Sequence, residues 1–214
     1  MTTTYWDEIF LDQFNERKLQ EQLQAAGEED WMLLSVDECI KGISQGSLVL
    51  HNDQKIPIQV RAAFADQMTF PLPCSFTETT GFDKQGGRNP HRVIYRDQAQ
   101  GVSLGLHWRE EPLHQEQVLW MQQQLARGAK KLQPDMQLIE ENTLELEQGL
   151  IACYEALFIV DPHPYYQIVF VRSWQGRAFT GSIQFKLEDA PLWHPLSYAI
   201  IRLIHFVEHN HEMS

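Results

Sequence analysis

Between Tyr165 and Leu187 the sequence alternates with period two on both sides of a short turn. Ile168, Phe170, Arg172 and Trp174 share one parity, and Gln167, Val169, Val171 and Ser173 share the other. Beyond Gln175-Gly176, Phe179, Ile183, Phe185 and Leu187 alternate with Ala178, Thr180, Ser182, Gln184 and Lys186. Side chains repeat every two residues along a strand and every 3.6 along a helix, so this pattern demands extended chain. Two such runs around a Gly-containing turn predict an antiparallel hairpin.

The flanks extend that hairpin into a sheet. Gln137 to Glu147 and Leu150 to Val160 read as strands joined at Gln148-Gly149, and Asp161-Pro162-His163-Pro164 turns the second into the hairpin. Upstream, Val102, Leu104, Leu106 and Trp108 alternate with Ser103, Gly105, His107 and Arg109. A helix is predicted from about Leu113 to Leu132, with Val118, Met121, Leu125, Ala129 and Leu132 as its apolar stripe. Gln115, Gln122, Gln123, Arg127, Lys130 and Lys131 make its solvated side, and Pro134 prevents continuation. After Leu187 the Glu188-Asp189-Ala190-Pro191 segment breaks the sheet, and Leu192 to Leu203 reads as a last helix before the short apolar segment Ile204 to Val207.

The N-terminal third is different. Residues 4–26 place Tyr5, Trp6, Ile9, Phe10, Phe14, Leu19 and Leu23 on one side of a predicted amphipathic helix, stopped by Gly27. Those aromatics suit packing on the following domain, or an exposed surface for a partner or a second copy of the chain, which would make a homodimer. Ser35-Val36-Asp37-Glu38 has capping-box spacing for a second helix. Ser47 to His51 and Lys55 to Val60 read as a small hairpin, and Met68 to Pro73 as a short extended segment. Residues 77–91 read as a loop around Gly86-Gly87, and His91 to Arg96 as a strand. The fold class expected is α+β: an antiparallel sheet packed with a long helix and a C-terminal helix, plus a helical N-terminal extension. Its units are residues 1–65, residues 66–208 and a disordered tail at 209–214.

A net charge of -12 argues against nucleic acid, whose phosphates need Lys and Arg to displace counterions, and against anionic lipid. No apolar run approaches the roughly 18 residues of a membrane span, and residues 1–30 lack a secretory signal. Cys39, Cys74 and Cys153 are odd in number and far apart, which suggests neither a disulfide framework nor a zinc knuckle. A reduced, cytoplasmic protein is the expectation.

Three stretches carry a family resemblance: Met68-Thr69-Phe70-Pro71-Leu72-Pro73, the step from Leu138-Ile139-Glu140-Glu141 through Gly149-Leu150-Ile151-Ala152-Cys153-Tyr154-Glu155, and Tyr166-Gln167-Ile168-Val169-Phe170-Val171 leading to Gly176. Over residues 66–208 their order and hydrophobicity resemble the PsbP/DcrB-like family. The resemblance implies a binding or accessory role without a cofactor. Members assist photosystems, bind a small GTPase, or act as cytoplasmic chaperones for type VI secretion effectors. It thus implies a protein partner, such as a secreted effector. The first 65 residues extend beyond a minimal chaperone domain.

Candidate chemistry is sparse. His205-x-x-Glu208-His209, with His211 beyond, spells an inverted zincin motif, so a metal-dependent hydrolase is the alternative function. Only five residues follow His209 to supply a third ligand, and a strand at 204–208 would destroy the helical spacing. Gly-x-Ser-x-Gly spacing occurs at Gly42-Ile43-Ser44-Gln45-Gly46 and Gly101-Val102-Ser103-Leu104-Gly105, but the first ends a predicted helix and the second opens a predicted strand, so neither is the strand-to-helix elbow of an acyl-transfer triad. Glu140, Glu141, Glu145 and Glu147 alternate with Leu144 and Leu146, as a charged sheet face does. Arg172 lies on the apolar parity and therefore needs a partner. Glu155 on the preceding strand is the candidate, with a ligand-anchoring role in a groove as the alternative. Trp108, Tyr154, Tyr166, Trp174 and Phe179 would supply an aromatic partner surface on an open sheet face.

Overall fold

The structure is a computed structural model and describes residues 33–50, 52–82, 88–160 and 163–207. The helix expected at 4–26, the Gly86-Gly87 loop and the 209–214 tail lie outside these residues. In chain order the elements are α1 (Val36–Ser44), β1 (Ser47–Val49), β2 (Lys55–Ala63), β3 (Met68–Pro73), β4 (Thr77–Phe82), β5 (Arg88–Asp97) and β6 (Val102–Pro112). There follow α2 (Val118–Leu132), β7 (Gln137–Leu146), β8 (Gly149–Val160), β9 (His163–Trp174), β10 (Arg177–Lys186), α3 (Ala190–Arg202) and β11 (His205–Phe206). No described helix is long and apolar enough to cross a membrane.

Seven strands form one antiparallel sheet in the order β4-β5-β6-β10-β9-β8-β7. The β9–β10 hairpin is at its centre, with Phe179 opposite Arg172 and Ile183 opposite Ile168. Its turn places Gln175 and Gly176 at φ of 50° and 71°. Positive φ at both central turn residues matches the right-handed twist of the strands. β1-β2-β3-β11 form a second sheet. β2 and β3 lie on either side of the unit boundary expected at residue 65, yet they pair from Ile58–Pro73 to Ala63–Met68.

The large sheet buries both faces unequally. On one face Leu104, Leu106, Ile151, Cys153, Ile168, Phe170, Phe179, Ile183 and Phe185 join α3 and the small sheet in a single core. Rings link the layers: Phe70 meets Tyr95 at 5.4 Å, Phe76 meets Trp193 at 5.7 Å, and Phe206 lies 5.0 Å from Trp174 and 5.1 Å from Phe179. On the other face α2 covers β8 and β9, where Ala152 and Ala156 of β8, with Ala178 of neighbouring β10, let it approach.

Two expectations change. The stretch at 77–91 contains β4 and the start of β5, which pair from Thr77–Arg96 to Thr80–Val93. Thr is at home in strands, and its local turn signals belong to the connection only. The buried line of α2 is Val118, Gln122 and Ala126, while Leu132 is largely exposed. Gln122, assigned by periodicity to solvent, is buried because its amide donates to the Cys153 carbonyl at 3.1 Å. The Ser35 capping box forms as its spacing requires: Ser35 Oγ accepts from Glu38 N–H, and the Glu38 carboxylate accepts from Ser35 N–H.

Candidate functional site

Glu155 sits on the inward parity of β8, between Cys153 and Leu157, and is 1% exposed. An isolated carboxylate there would be very costly, so its partners decide whether it can be charged. Oε2 accepts from the Tyr166 hydroxyl and faces His194 Nε2 at 3.1 Å. Oε1 accepts from the Tyr198 hydroxyl and, at 3.5 Å, from Asn142 Nδ2, which also donates to the Tyr198 oxygen at 2.8 Å. His194 and Tyr198 are four residues apart on α3 and so project from one helix face. Asn142 comes from β7 and Tyr166 from β9, the two neighbours of β8. Burial pushes the Glu155 carboxyl up, but the bonds from His194, Tyr166 and Tyr198 outweigh it and hold it below the ordinary value. Both tyrosine hydroxyls are raised, first by burial and then by the Glu155 charge. Burial, helped by the Glu155 charge, raises the Cys153 thiol to about 12.

The pairing of Glu155 with Arg172 is not made. Glu155 is opposite Ile168, and Arg172 is four residues further along β9, about 13 Å away. Arg172 instead donates to the Gln148 carbonyl and, through Nε at 3.2 Å, to its neighbour Ser173. Its guanidinium lies 4.1 Å from the centre of the Phe206 ring. Thus the buried acid is held by hydroxyls and an imidazole, and the buried cation by carbonyls and an aromatic face.

The aromatic face expected to be open is interior. Tyr166, Trp174 and Phe179 are buried, and Tyr166 stacks on Phe185 at 5.5 Å. Trp108 is partly buried and packs 4.5 Å from Trp174. Tyr154 points to the opposite face, into the cluster of Ala126, Met136 and Phe158 beneath α2. Trp108, Tyr166, Trp174 and Phe179 share one face of the sheet, as their expected common surface requires, but Tyr154 is on the other, and layers the alternation does not reveal cover them all. His194, Tyr198 and Asn142 were missed as partners of Glu155. The i, i+4 spacing of His194 and Tyr198 was the only trace of them in the sequence.

His205 begins β11, is exposed, and its Nδ1 lies 2.7 Å from Gln148 Nε2. A strand at this point removes the helical spacing that the inverted zincin motif needs, and His209 and His211 lie outside the described residues. Among the described residues no group of three His, Cys, Asp or Glu could hold a metal ion. The hydrolase alternative therefore has no geometric support.

The outer surface is more informative. β7 is the terminal strand of the large sheet. Among the described residues, ten large apolar side chains are exposed, and seven of them lie on α2, β7 and β8: Leu119, Trp120, Leu132, Leu138, Ile139, Ile159 and Val160. A groove of about 370 Å³ runs between α2 and β7, walled by Ala126, Met136 and Leu138 with Arg127, Lys130 and Glu141 at its polar margin. Exposed Glu140, Glu141 and Glu145 and a bulge at Leu138–Glu140 mark the edge strand. Charge and bulging both discourage indiscriminate strand pairing.

No protein-family model matches the sequence, and no curated protein resembles it in sequence. Solved structures do resemble the fold. Cyanobacterial PsbP (CyanoP) from Synechocystis sp. PCC 6803 superposes with a TM-score of 0.54 at 12% identity, over 70% of this chain and 92% of that one. A protein of Bacteroides thetaiotaomicron VPI-5482 gives 0.47 at 8% identity, over 71% of this chain and 48% of its own. LpqN, involved in cell envelope biogenesis of Mycobacterium tuberculosis, gives 0.34 at 14% identity, over 71% and 84%. The chain has an α+β, PsbP-like fold.

Proposed function

We propose that the chain is a non-enzymatic accessory module that binds a protein partner along α2 and the β7 edge. The observation that carries this reading is that seven of the ten exposed large apolar side chains among the described residues lie on α2, β7 and β8, with Leu138 and Ile139 on the edge strand itself and Trp120 on the outer side of α2. An edge strand offers backbone hydrogen bonds, and the adjoining groove offers apolar area for side chains of an added strand. The acidic residues of β7 favour a partner segment that carries Lys or Arg. The burial of Glu155 and Arg172 also supports a binding role, because neither is presented to a reactant. Within this reading, a cytoplasmic chaperone for a secreted effector is the finer proposal. It is consistent with the acidic charge and the PsbP-like fold.

The test is quantitative co-purification from the native host with Leu138→Lys, Trp120→Ala and, as an exposed control on the small sheet, Val60→Lys. Surface changes of this kind alter stability by only about 0.5 kcal/mol. A stoichiometric partner should accompany the unaltered chain and Val60→Lys and be lost with the other two. Retention by Leu138→Lys and Trp120→Ala, or equal loss with Val60→Lys, would refute the assignment. A partner that is not exported would remove the secretion component alone.

A further inference from the structure

The sheet face beneath α2 continues past the helix. α2 covers β8 and β9, and on the flank opposite the β7 groove it leaves β5, β6 and β10 beside it. A groove of about 320 Å³ lies there, within the lower range of small-molecule sites. Its floor is written by strand register. Arg92, His107 and Thr180 form one cross-strand row, and Ile94, Gly105 and Ser182 form the next. Neighbouring strands are about 4.8 Å apart, so the Arg92 and Thr180 side chains start roughly 10 Å apart with His107 between them. Gly105 leaves the centre of this floor without a side chain. Leu125 of α2 and Val169 of β9 form an apolar wall.

The charges on this face are unbalanced. Among the described residues, neither a hydrogen bond nor an ion pair engages the Arg92 guanidinium. The nearby carboxylate of Glu111 is already held by Arg109, with Nε–Oε2 at 3.1 Å and Nη2–Oε1 at 2.9 Å. His107 is half-buried beside both arginines. On a chain of net charge -12, the groove thus gathers a guanidinium, an imidazole and two hydroxyls against an apolar wall. Guanidinium donors match planar carboxylate and tetrahedral phosphate oxygens.

We propose that this groove binds a small organic anion, with its carboxylate or phosphate head on Arg92 and His107 and a compact apolar body against Leu125 and Val169. Ser182 presents its hydroxyl to the same head group, and the Thr180 hydroxyl, which donates to the His107 carbonyl at 3.5 Å, can turn to it. The site is separate from the α2–β7 groove, so it stands or falls independently of the protein-binding reading. His107 reports on it directly. Its imidazole is held below the ordinary value first by burial and then by the charges of Arg109 and Arg92, with His91 acting the same way and Glu111 against them. An anion seated beside it must raise that value.

The experiment uses the full chain with isotope-labelled histidine, titrated separately with benzoate, phenyl phosphate, inorganic phosphate and neutral benzyl alcohol. Either phenyl anion, at about 10 mM, should move the His107 ring resonances and raise its pKa. Preference between the two identifies the head group. Arg92→Ala should weaken binding about tenfold or more, and Gly105→Val should abolish it by filling the floor. Val suits a strand, and a Cβ at Gly105 would lie 3.4 Å from Ser182 Oγ, an ordinary contact, so that variant should keep its fold. Equal binding of benzyl alcohol, unchanged affinity in Arg92→Ala, or unmoved His107 resonances with both phenyl anions would overturn the proposal. Inorganic phosphate binding as tightly as phenyl phosphate would equally overturn it, since the apolar wall would then contribute nothing.

Discussion

Replacing Glu155 by Gln keeps the shape of the buried side chain and removes its charge. In the unaltered chain the two oxygens accept from Tyr166, Tyr198, His194 and Asn142. A Gln can retain its oxygen toward Tyr198 and Asn142 and turn its amide nitrogen toward Tyr166 and His194. The Tyr166 hydroxyl can rotate to accept, although its own proton then loses the Glu155 oxygen, and His194 can present an unprotonated Nε2. What is lost is charge assistance. Hydrogen bonds to a charged group contribute about 1.5–3 kcal/mol against about 1 for neutral pairs. Summed over these bonds and reduced by the relieved desolvation of the carboxylate, Glu155→Gln should cost about 1–3 kcal/mol at pH 7. The pH dependence is the sharper test. The folded carboxyl is held below its ordinary value. Its contribution is therefore complete above the unfolded pKa of about 4.3 and drains away as pH falls through the folded value. Urea unfolding of both chains at pH 7, 5, 4 and 3 measures the gap, which should be widest at neutral pH and narrow toward pH 3. A gap that stays constant over that range, or a variant as stable as the parent at pH 7, would refute the claim that Glu155 is ionised and held by these donors.

Gly181 lies opposite Phe170, and a Cβ added there would come 2.0 Å from Phe170 Cζ. Gly181→Ala should lower stability by about 1–3 kcal/mol, read from the urea midpoint, and Phe170→Leu in the same chain should recover part of the loss because it removes the obstructing ring. Of the three thiols, Cys74 is exposed, whereas Cys39 and Cys153 are buried and raised to about 11 and about 12. Ellman's reagent should therefore titrate one thiol rapidly in the native chain and all three in denaturant; fast reaction of a second native thiol would contradict the packing around Cys39 on α1 or Cys153 on β8.

The central hairpin, β6, α2, β7 and β8 were legible because each obeys a local rule: alternation, a helical stripe or a Gly-containing turn. The Ser35 cap was legible for the same reason. β4 was not, because Thr77–Phe82 holds residues that serve turns and strands alike, and only pairing with β5 decides between them. The face of α2 was read slightly rotated, because Leu132 is apolar but lies past the last turn that touches the sheet, while Gln122 is polar but reaches a strand carbonyl.

The site shows the same limit more strongly. Alternation told that Glu155 and Arg172 point inward, and the simplest way to neutralise two buried charges is to pair them. Register forbids it: four residues of strand separate the two along one face. Each charge is then satisfied by elements that sequence proximity cannot nominate, α3 and β7 for the acid and the β7–β8 turn and β11 for the cation. The same reasoning relocates the binding surface. Aromatic residues on the inward parity are drawn into the core by α3 and the small sheet, so the proposed recognition surfaces use side chains outside that parity. Those are the apolar residues beside β7 and the polar row of Arg92, His107 and Thr180 on the uncovered part of the sheet. In a sheet with helices on both faces, the candidate surfaces are where a covering layer stops. Here α2 stops on both flanks, which is why its two grooves, one apolar with Arg127, Lys130 and Glu141 at its margin, the other cationic, are the proposed contact surfaces.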